Sequence, residues 1–109
     1  MTVETAVREM NWKAISVPAP EREITGGYAG DLLSWVMGRA QSGDCWFTIM
    51  SNINVAAVAQ LTDVACVVFT EGVLPDESVI CAAKQHDINL LATDETTYAA
   101  CAKLAERMR

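Results

Sequence analysis

The second half of the chain alternates between short, continuous apolar runs and longer runs with a helical apolar period. The apolar runs predict buried strands at residues 45–49, 65–69 and 89–92. A helical pattern follows each strand: one that reaches Leu61, one from about 76 to 86, and one from about 95 to the C-terminus. Buried strands that alternate with helices of this length are typical of βαβ units in a parallel sheet.

The first half contains two helical patterns separated by two short strand patterns. Thr2 is a suitable N-cap for the first helix, and Asn11 is its expected end. The apolar positions of this helix are Val3, Ala6, Val7 and Met10. Strands are predicted at 13–17 and 22–25, on either side of two prolines. Asp31 then opens the second helix, whose apolar stripe is formed by Leu32, Leu33, Val36, Met37 and Ala40.

The length and the apolar content of the chain fit this pattern. A domain of 109 residues buries enough surface to fold without cross-links. Its apolar fraction of 51% is high, which favours a sheet covered on both faces or an additional surface for association. The sequence therefore predicts an α/β fold, a single three-layer domain over residues 1–109 with a mostly parallel sheet flanked by helices.

The charge balance narrows the classes of partner. Eight Lys and Arg residues stand against fourteen Asp and Glu residues, which gives a formal charge of −6. Nucleic acids and anionic membranes need a basic surface, so neither is an expected partner. No apolar stretch approaches the roughly 20 residues of a spanning helix, and the N-terminus has no signal pattern. We expect a cytoplasmic protein.

The four cysteines, Cys45, Cys66, Cys81 and Cys101, all lie within apolar periodic runs. No Cys-x-x-Cys spacing occurs, so the usual local pattern of a zinc or iron–sulfur site is absent. Thiols in such runs behave as small apolar side chains. We therefore expect core cysteines, no metal site and no cofactor.

A ligand site is expected at the carboxyl edge of the sheet, where strand ends and helix starts of open α/β folds meet. Four polar loops are predicted there, and they are rich in hydroxyl and amide groups, which donate and accept hydrogen bonds without carrying charge and suit a small polar or phosphorylated molecule. The candidate ligand-binding residues are Thr25, Gly26, Gly27, Tyr28, Asn52, Asn54, Thr70, Glu71, Thr93 and Asp94. The competing interpretation is structural: Asp76, Asp94 and one of the two asparagines are also ordinary helix caps.

Residue patterns that indicate catalysis are lacking. The chain has no G-x-x-x-x-G-K-[ST] segment, so phosphoryl transfer by a P-loop has no support. The single histidine, His86, is predicted at a helix end without a nucleophile near it in sequence. No catalytic residue is therefore assigned. The tryptophans, Trp12, Trp35 and Trp46, are expected to serve packing or an interface.

The segment from Ile24 to Tyr28, Ile-Thr-Gly-Gly-Tyr, resembles the signature of the DRTGG domain family. The Thr-Gly-Gly core is present, whereas Glu23 and Ile24 replace the Asp-Arg pair. Further matching segments are Gly30-Asp31-Leu32-Leu33-Ser34, Asn52-Ile53-Asn54-Val55-Ala56 and Pro75-Asp76-Glu77. The family resembles the N-terminal domain of HPr kinase/phosphorylase, whose kinase chemistry belongs to a separate P-loop domain.

This resemblance implies an accessory role. DRTGG domains accompany CBS domains in regulated pyrophosphatases, where they contribute to adenine-nucleotide regulation and dimer contacts. Small stand-alone members also resemble proteins associated with iron-only hydrogenases. The first hypothesis is thus a non-enzymatic regulatory domain that senses a nucleotide or phosphorylated small molecule as a homodimer. The alternatives are an accessory protein that docks to a hydrogenase-type redox complex and, third, a phosphotransfer enzyme of the serine kinase type.

Overall fold

The computed structural model describes all residues, 1–109, and contains five helices and five strands. The helices are α1 (Val3–Met10), α2 (Leu33–Arg39), α3 (Asn54–Thr62), α4 (Glu77–Gln85) and α5 (Thr97–Arg107). The strands are β1 (Lys13–Ser16), β2 (Gly26–Ala29), β3 (Asp44–Thr48), β4 (Cys66–Phe69) and β5 (Leu90–Ala92). None of the helices combines the length and the apolar character that crossing a bilayer requires.

The strands form one sheet in the order β1-β5-β4-β3-β2. From β2 to β5 the strands are parallel, and β1 alone runs antiparallel, against β5. Strands β1 and β2 are the two edges of the sheet and each pairs on one side only, and the β1 register shifts between Ala14 and Ser16. The predicted α/β fold with a mostly parallel sheet is confirmed.

Two apolar clusters fill the spaces on either side of the sheet. Side chains alternate along a strand, so Trp46 packs into the cluster under α2, α3 and α4, while Phe47 packs into the cluster under α1 and α5. Both residues are almost fully buried, as are Val67 and Val68 on the neighbouring strand. A strand that is buried on both faces reads as a continuous apolar run, which is why these strands were predictable.

Both ends of α1 are as predicted. The Thr2 hydroxyl accepts a hydrogen bond from the Thr5 amide at 3.1 Å and caps the helix. Asn11 ends it in the left-handed conformation, with φ 58° and ψ 36°. Asparagine tolerates this conformation better than most residues, because its short amide bonds locally.

Predictions for two elements of the first half were wrong in part or in whole. The strand predicted at 22–25 does not form; only Glu23 makes an isolated bridge, to Thr2, and the strand is instead the glycine segment Gly26–Ala29. The second helix begins at Leu33, because the Asp31 carboxylate accepts hydrogen bonds from β3 and its following residue rather than capping. Two members of its predicted stripe, Leu32 and Met37, are exposed by 58% and 51%.

The four cysteines differ in burial. Cys45 and Cys66 are fully buried and face each other across β3 and β4, whereas Cys101 is half-buried. Burial raises the pKa of the Cys45 and Cys101 thiols, which disfavours the reactive thiolate. Cys81 is exposed on α4, so the prediction that all four cysteines belong to the core was wrong for this one.

Two glycines give a matched test of this backbone. Gly43 has φ +87°, and a Cβ there would lie 2.3 Å from the Thr25 hydroxyl oxygen, whereas a Cβ at Gly38 in α2 meets nothing within 4 Å. We expect Gly43→Ala to lower the free energy of unfolding by about 1–3 kcal/mol, and Gly38→Ala to raise it by roughly 0.5 kcal/mol. Urea denaturation of both variants measures this, and equal effects would contradict the assigned conformations.

Candidate functional site

A cleft of about 470 Å³ opens at the carboxyl edge of the sheet, beyond β4 and β5. Three segments form its walls: the junction of α1 and β1, the turn at 72–74, and the loop at 92–95. Lys103 of α5 completes it. The volume lies within the roughly 300–1,000 Å³ that is usual for small-molecule sites.

The junction of α1 and β1 brings Lys13 to this edge. Asn11 turns the chain sharply, and β1 then runs antiparallel to β5, which places Lys13 opposite Ala92. Lys13 is exposed and forms no ion pair. The cleft therefore has a free ammonium group next to the end of β5.

The turn after β4 forms the facing wall. Glu71 and Gly72 both have positive φ, 61° and 77°. Their amides donate hydrogen bonds to the carbonyl oxygens of Glu95 and Thr93, at 2.8 and 3.1 Å. A Cβ on Gly72 would lie 3.4 Å from a carboxylate oxygen of Asp94, so glycine allows the turn to approach this loop closely. The two walls of the cleft are thus fixed to each other through the backbone.

The Glu95 carboxylate holds the floor of the cleft together. One oxygen accepts hydrogen bonds from the Trp12 indole and the Thr93 hydroxyl, both at 3.0 Å. The other pairs with the Lys103 ammonium at 3.1 Å, and that ammonium also donates to the Met10 carbonyl at 2.7 Å. Partial burial opposes ionisation of Glu95, but the hydrogen bonds from these donors outweigh it and lower the pKa of the carboxyl group.

Thr93 and Asp94 line the cleft, as predicted for strand-end residues, but they do not cap α5. The Thr93 hydroxyl accepts from the Glu95 amide at 3.1 Å, so the chain turns once more before the helix begins. Thr96 is the N-cap and accepts from the Ala99 amide at 3.1 Å. The exposed Asp94 carboxylate makes no hydrogen bond within the protein and remains free.

Thr70 and Glu71 lie at the same edge but do not line the cleft. The Thr70 hydroxyl bonds the Thr97 hydroxyl at 2.6 Å, and the Glu71 carboxylate accepts from the Thr97 amide at 2.8 Å. Glu71 thereby satisfies a free amide in the first turn of α5 and places a negative charge at the helix start. Both side chains support α5.

Asn52 and Asn54 also lie outside the cleft, after β3. The Asn52 side-chain oxygen accepts from the Asn54 amide at 3.0 Å, which stabilises the start of α3. Asn54 is the exposed first residue of that helix. This local hydrogen bond favours a structural role for Asn52, although the N-cap position itself is Ile53. Neither asparagine lines the cleft with Thr93 and Asp94.

The predicted placement of Thr25, Gly26, Gly27 and Tyr28 at the carboxyl edge was wrong. The Thr25 amide bonds the Gly43 carbonyl, and Gly26 pairs with Asp44 at the opposite, amino end of β3. A Cβ on Gly26 would lie 2.7 Å from a carboxylate oxygen of Asp44, which explains glycine there by close packing. The segment from Gly26 to Tyr28 lines a different, mostly apolar groove of about 360 Å³.

Asn11, Lys13 and Lys103 are cleft residues that were not predicted. Lys13 lies in a segment assigned to a strand, and Lys103 fits the pattern of a cation near a helix end. Nothing in the sequence around either lysine indicates that it approaches the end of β5. This approach depends on the antiparallel pairing of β1 and on how α5 packs. Lys103 donating to the Met10 carbonyl, 93 residues away, illustrates this.

No group of three or more His, Cys, Asp or Glu side chains is arranged to hold a metal ion. The cleft contains two ammonium groups and two carboxylates, of which Lys103 and Glu95 neutralise each other. Lys13 and Asp94 remain available to a ligand. An ammonium group can donate hydrogen bonds to an anionic group, and a free carboxylate can accept them from donors such as hydroxyl groups.

No protein-family model matches the chain. A search of solved structures finds a similar fold in the CBS and DRTGG domains of the regulatory region of Clostridium perfringens pyrophosphatase, in complex with its activator, diadenosine tetraphosphate. The TM-score is 0.69 at 14% sequence identity, over 93% of this chain. The chain spans 44% of that structure's length. The likeness supports a DRTGG-related fold.

The Glu95 network gives a prediction about pH. Its folded-state pKa is lowered from the usual 4.5, so its contribution to stability is present above pH 4.5 and disappears as the pH falls through the folded-state pKa. Glu95→Gln should therefore lower the free energy of unfolding by roughly 1 kcal/mol at neutral pH, and by progressively less on acidification. Urea denaturation at several pH values, with the exposed Glu21→Gln as control, measures this. A difference that persists in acid would contradict it.

Proposed function

We propose that the chain is a non-enzymatic regulatory domain that senses a small ligand in the cleft at the carboxyl edge, and that it acts as a homodimer. The observation that carries the proposal is the pair of unpaired groups, Lys13 and Asp94, in a cleft whose walls are held by hydrogen bonds. Preformed walls reduce the ordering cost of binding. The similarity in fold to a regulatory region adds support.

We infer that the ligand is a mononucleotide or a similar phosphorylated molecule. The Lys13 ammonium suits a phosphate group, and the Asp94 carboxylate suits ribose hydroxyls, which donate hydrogen bonds to it. Val73 and Leu74 offer an apolar wall for a base. The structural neighbour's activator is an adenine dinucleotide, and this motivates testing adenine nucleotides first.

Helix α5 connects the cleft with the remainder of the molecule. Lys103 of this helix lines the cleft and pairs with Glu95. The next residue, Leu104, and the C-cap, Met108, line the apolar groove beside β2. A ligand that competes for the Lys103 ammonium or moves the 93–97 loop therefore acts directly on α5. We propose this helix as the element that transmits the bound state to a second subunit.

No nucleophile and base lie together in a manner that favours catalysis. His86 is exposed at the end of α4, and the thiols of Cys45 and Cys101 have raised pKa values. The roles of serine kinase and hydrogenase accessory protein, which the DRTGG resemblance implies, are not favoured by any specific contact. They remain predictions, as does a cytoplasmic location.

A thermal-unfolding titration with AMP, ADP, ATP and acetyl phosphate tests the sensing function. A ligand at about 100 times its dissociation constant stabilises the folded protein by roughly 2.7 kcal/mol. For a domain of this size, the midpoint of unfolding should rise by several degrees. No shift for any compound would contradict nucleotide sensing.

Variants locate the site. Lys13→Gln and Asp94→Asn should each remove most of the ligand-induced rise while the unliganded midpoint changes little, because both side chains are exposed and unpaired. Lys84→Gln, at an exposed lysine of α4 outside the cleft, is the matched control and should keep the full rise. An equal loss in all three variants would place the ligand elsewhere.

A further inference from the structure

Strand β2 leaves one backbone edge of the sheet open. It pairs with β3 on one side and with nothing on the other, and its residues Gly27 and Ala29 are exposed. The strand and the residue after it, Gly-Gly-Tyr-Ala-Gly, contain no charge and no proline. An open edge without such residues is a ready template for another strand.

The opposite edge of the same sheet is protected. Strand β1 begins with Lys13, its register shifts between Ala14 and Ser16, and Pro18 and Pro20 follow it. Charges, irregular register and prolines all discourage pairing at an edge. Because the protein blocks one edge and leaves the other open, the open edge of β2 is the one suited to an interface.

Apolar surface flanks β2 on both sides of the sheet. On one side, Leu104 of α5 and Met108, the residue that follows this helix, line the groove of about 360 Å³ beside the strand. A Cβ on Gly27 would reach within 3.7 Å of Leu104, so its absence deepens this groove. The groove is thus open to side chains of a strand that pairs with β2.

On the other side, the helices lie in the order α2, α3, α4, and α4 packs against β1. Helix α2 is therefore at the β2 end of the sheet. Trp35 and Met37 flank the buried Val36 on this helix and are exposed by 53% and 51%. The Arg39 guanidinium covers one face of the Trp35 ring, at 3.7 Å from its centroid, and about half of the Trp35 side chain remains exposed.

We propose that β2 pairs antiparallel with β2 of a second copy of this chain, so that one sheet runs through both subunits and the α5 helices meet across the two-fold axis. This rests on the homodimer of the proposed function and names its surface. An uncharged strand can pair with its own copy without like charges meeting, as isologous contacts require. A stable interface removes about 800 Å² per partner, so the α5 and α2 surfaces must contribute beside the short strand.

Sedimentation equilibrium over a wide dilution series tests this inference. The wild-type chain should show twice its 11.8 kDa mass at high concentration. Ala29→Lys places a charge on the open edge and should raise the dimer dissociation constant roughly tenfold or more. Ala14→Lys, the same change at an exposed position of β1, should leave it unchanged.

Hydrogen exchange gives a second measurement that needs no variant. The amides of Gly27 and Ala29 should be protected in the wild-type dimer and should lose protection on dilution. A dimer that survives Ala29→Lys with those amides unprotected overturns the β2 interface and leaves the homodimer intact. A wild-type chain that is monomeric throughout overturns both, whereas ligand sensing is judged separately by the thermal titration.

Discussion

Trp46 and Phe47 are adjacent in β3, point to opposite faces and are both excluded from water. The sheet must therefore carry a helical layer on each side, and connections between parallel strands supply those layers. The same constraint brings the carboxyl ends of β3, β4 and β5 to one edge. The cleft exists because the last two of these ends meet the junction of α1 and β1 there.

Within the cleft, a single carboxylate joins three separate parts of the chain. Glu95 contacts Trp12 after α1, Thr93 at the end of β5 and Lys103 within α5. Because these contacts are charged or partly buried, they order the floor of the cleft more firmly than an exposed ion pair would. They also connect the cleft to α5, the helix that reaches the edge strand β2. The proposed ligand site and the proposed interface thus share this helix.

The accuracy of the sequence predictions followed the strength of the local signal. The three apolar runs of the second half became β3, β4 and β5, and Thr2 and Asn11 bound the first helix as predicted. Gly26 and Gly27 were misplaced, because glycine has low strand propensity and the segment is a strand only through its pairing with β3. Among the cleft residues, Thr93 and Asp94 were predicted to lie at this edge of the sheet. Lys13 and Lys103 were not, because contacts between distant segments of the chain bring them there.

By itself, the sequence determined the α/β class, the layered arrangement and the strand-end position of Thr93 and Asp94. These follow from the period of apolar residues, which acts within one element or its neighbour. Only the tertiary structure decided that β1 runs antiparallel, that Lys13 and Lys103 approach the end of β5, and that β2 is an open edge. Those features depend on which strands pair and which helix faces meet, and such contacts between distant residues leave no local pattern in one sequence.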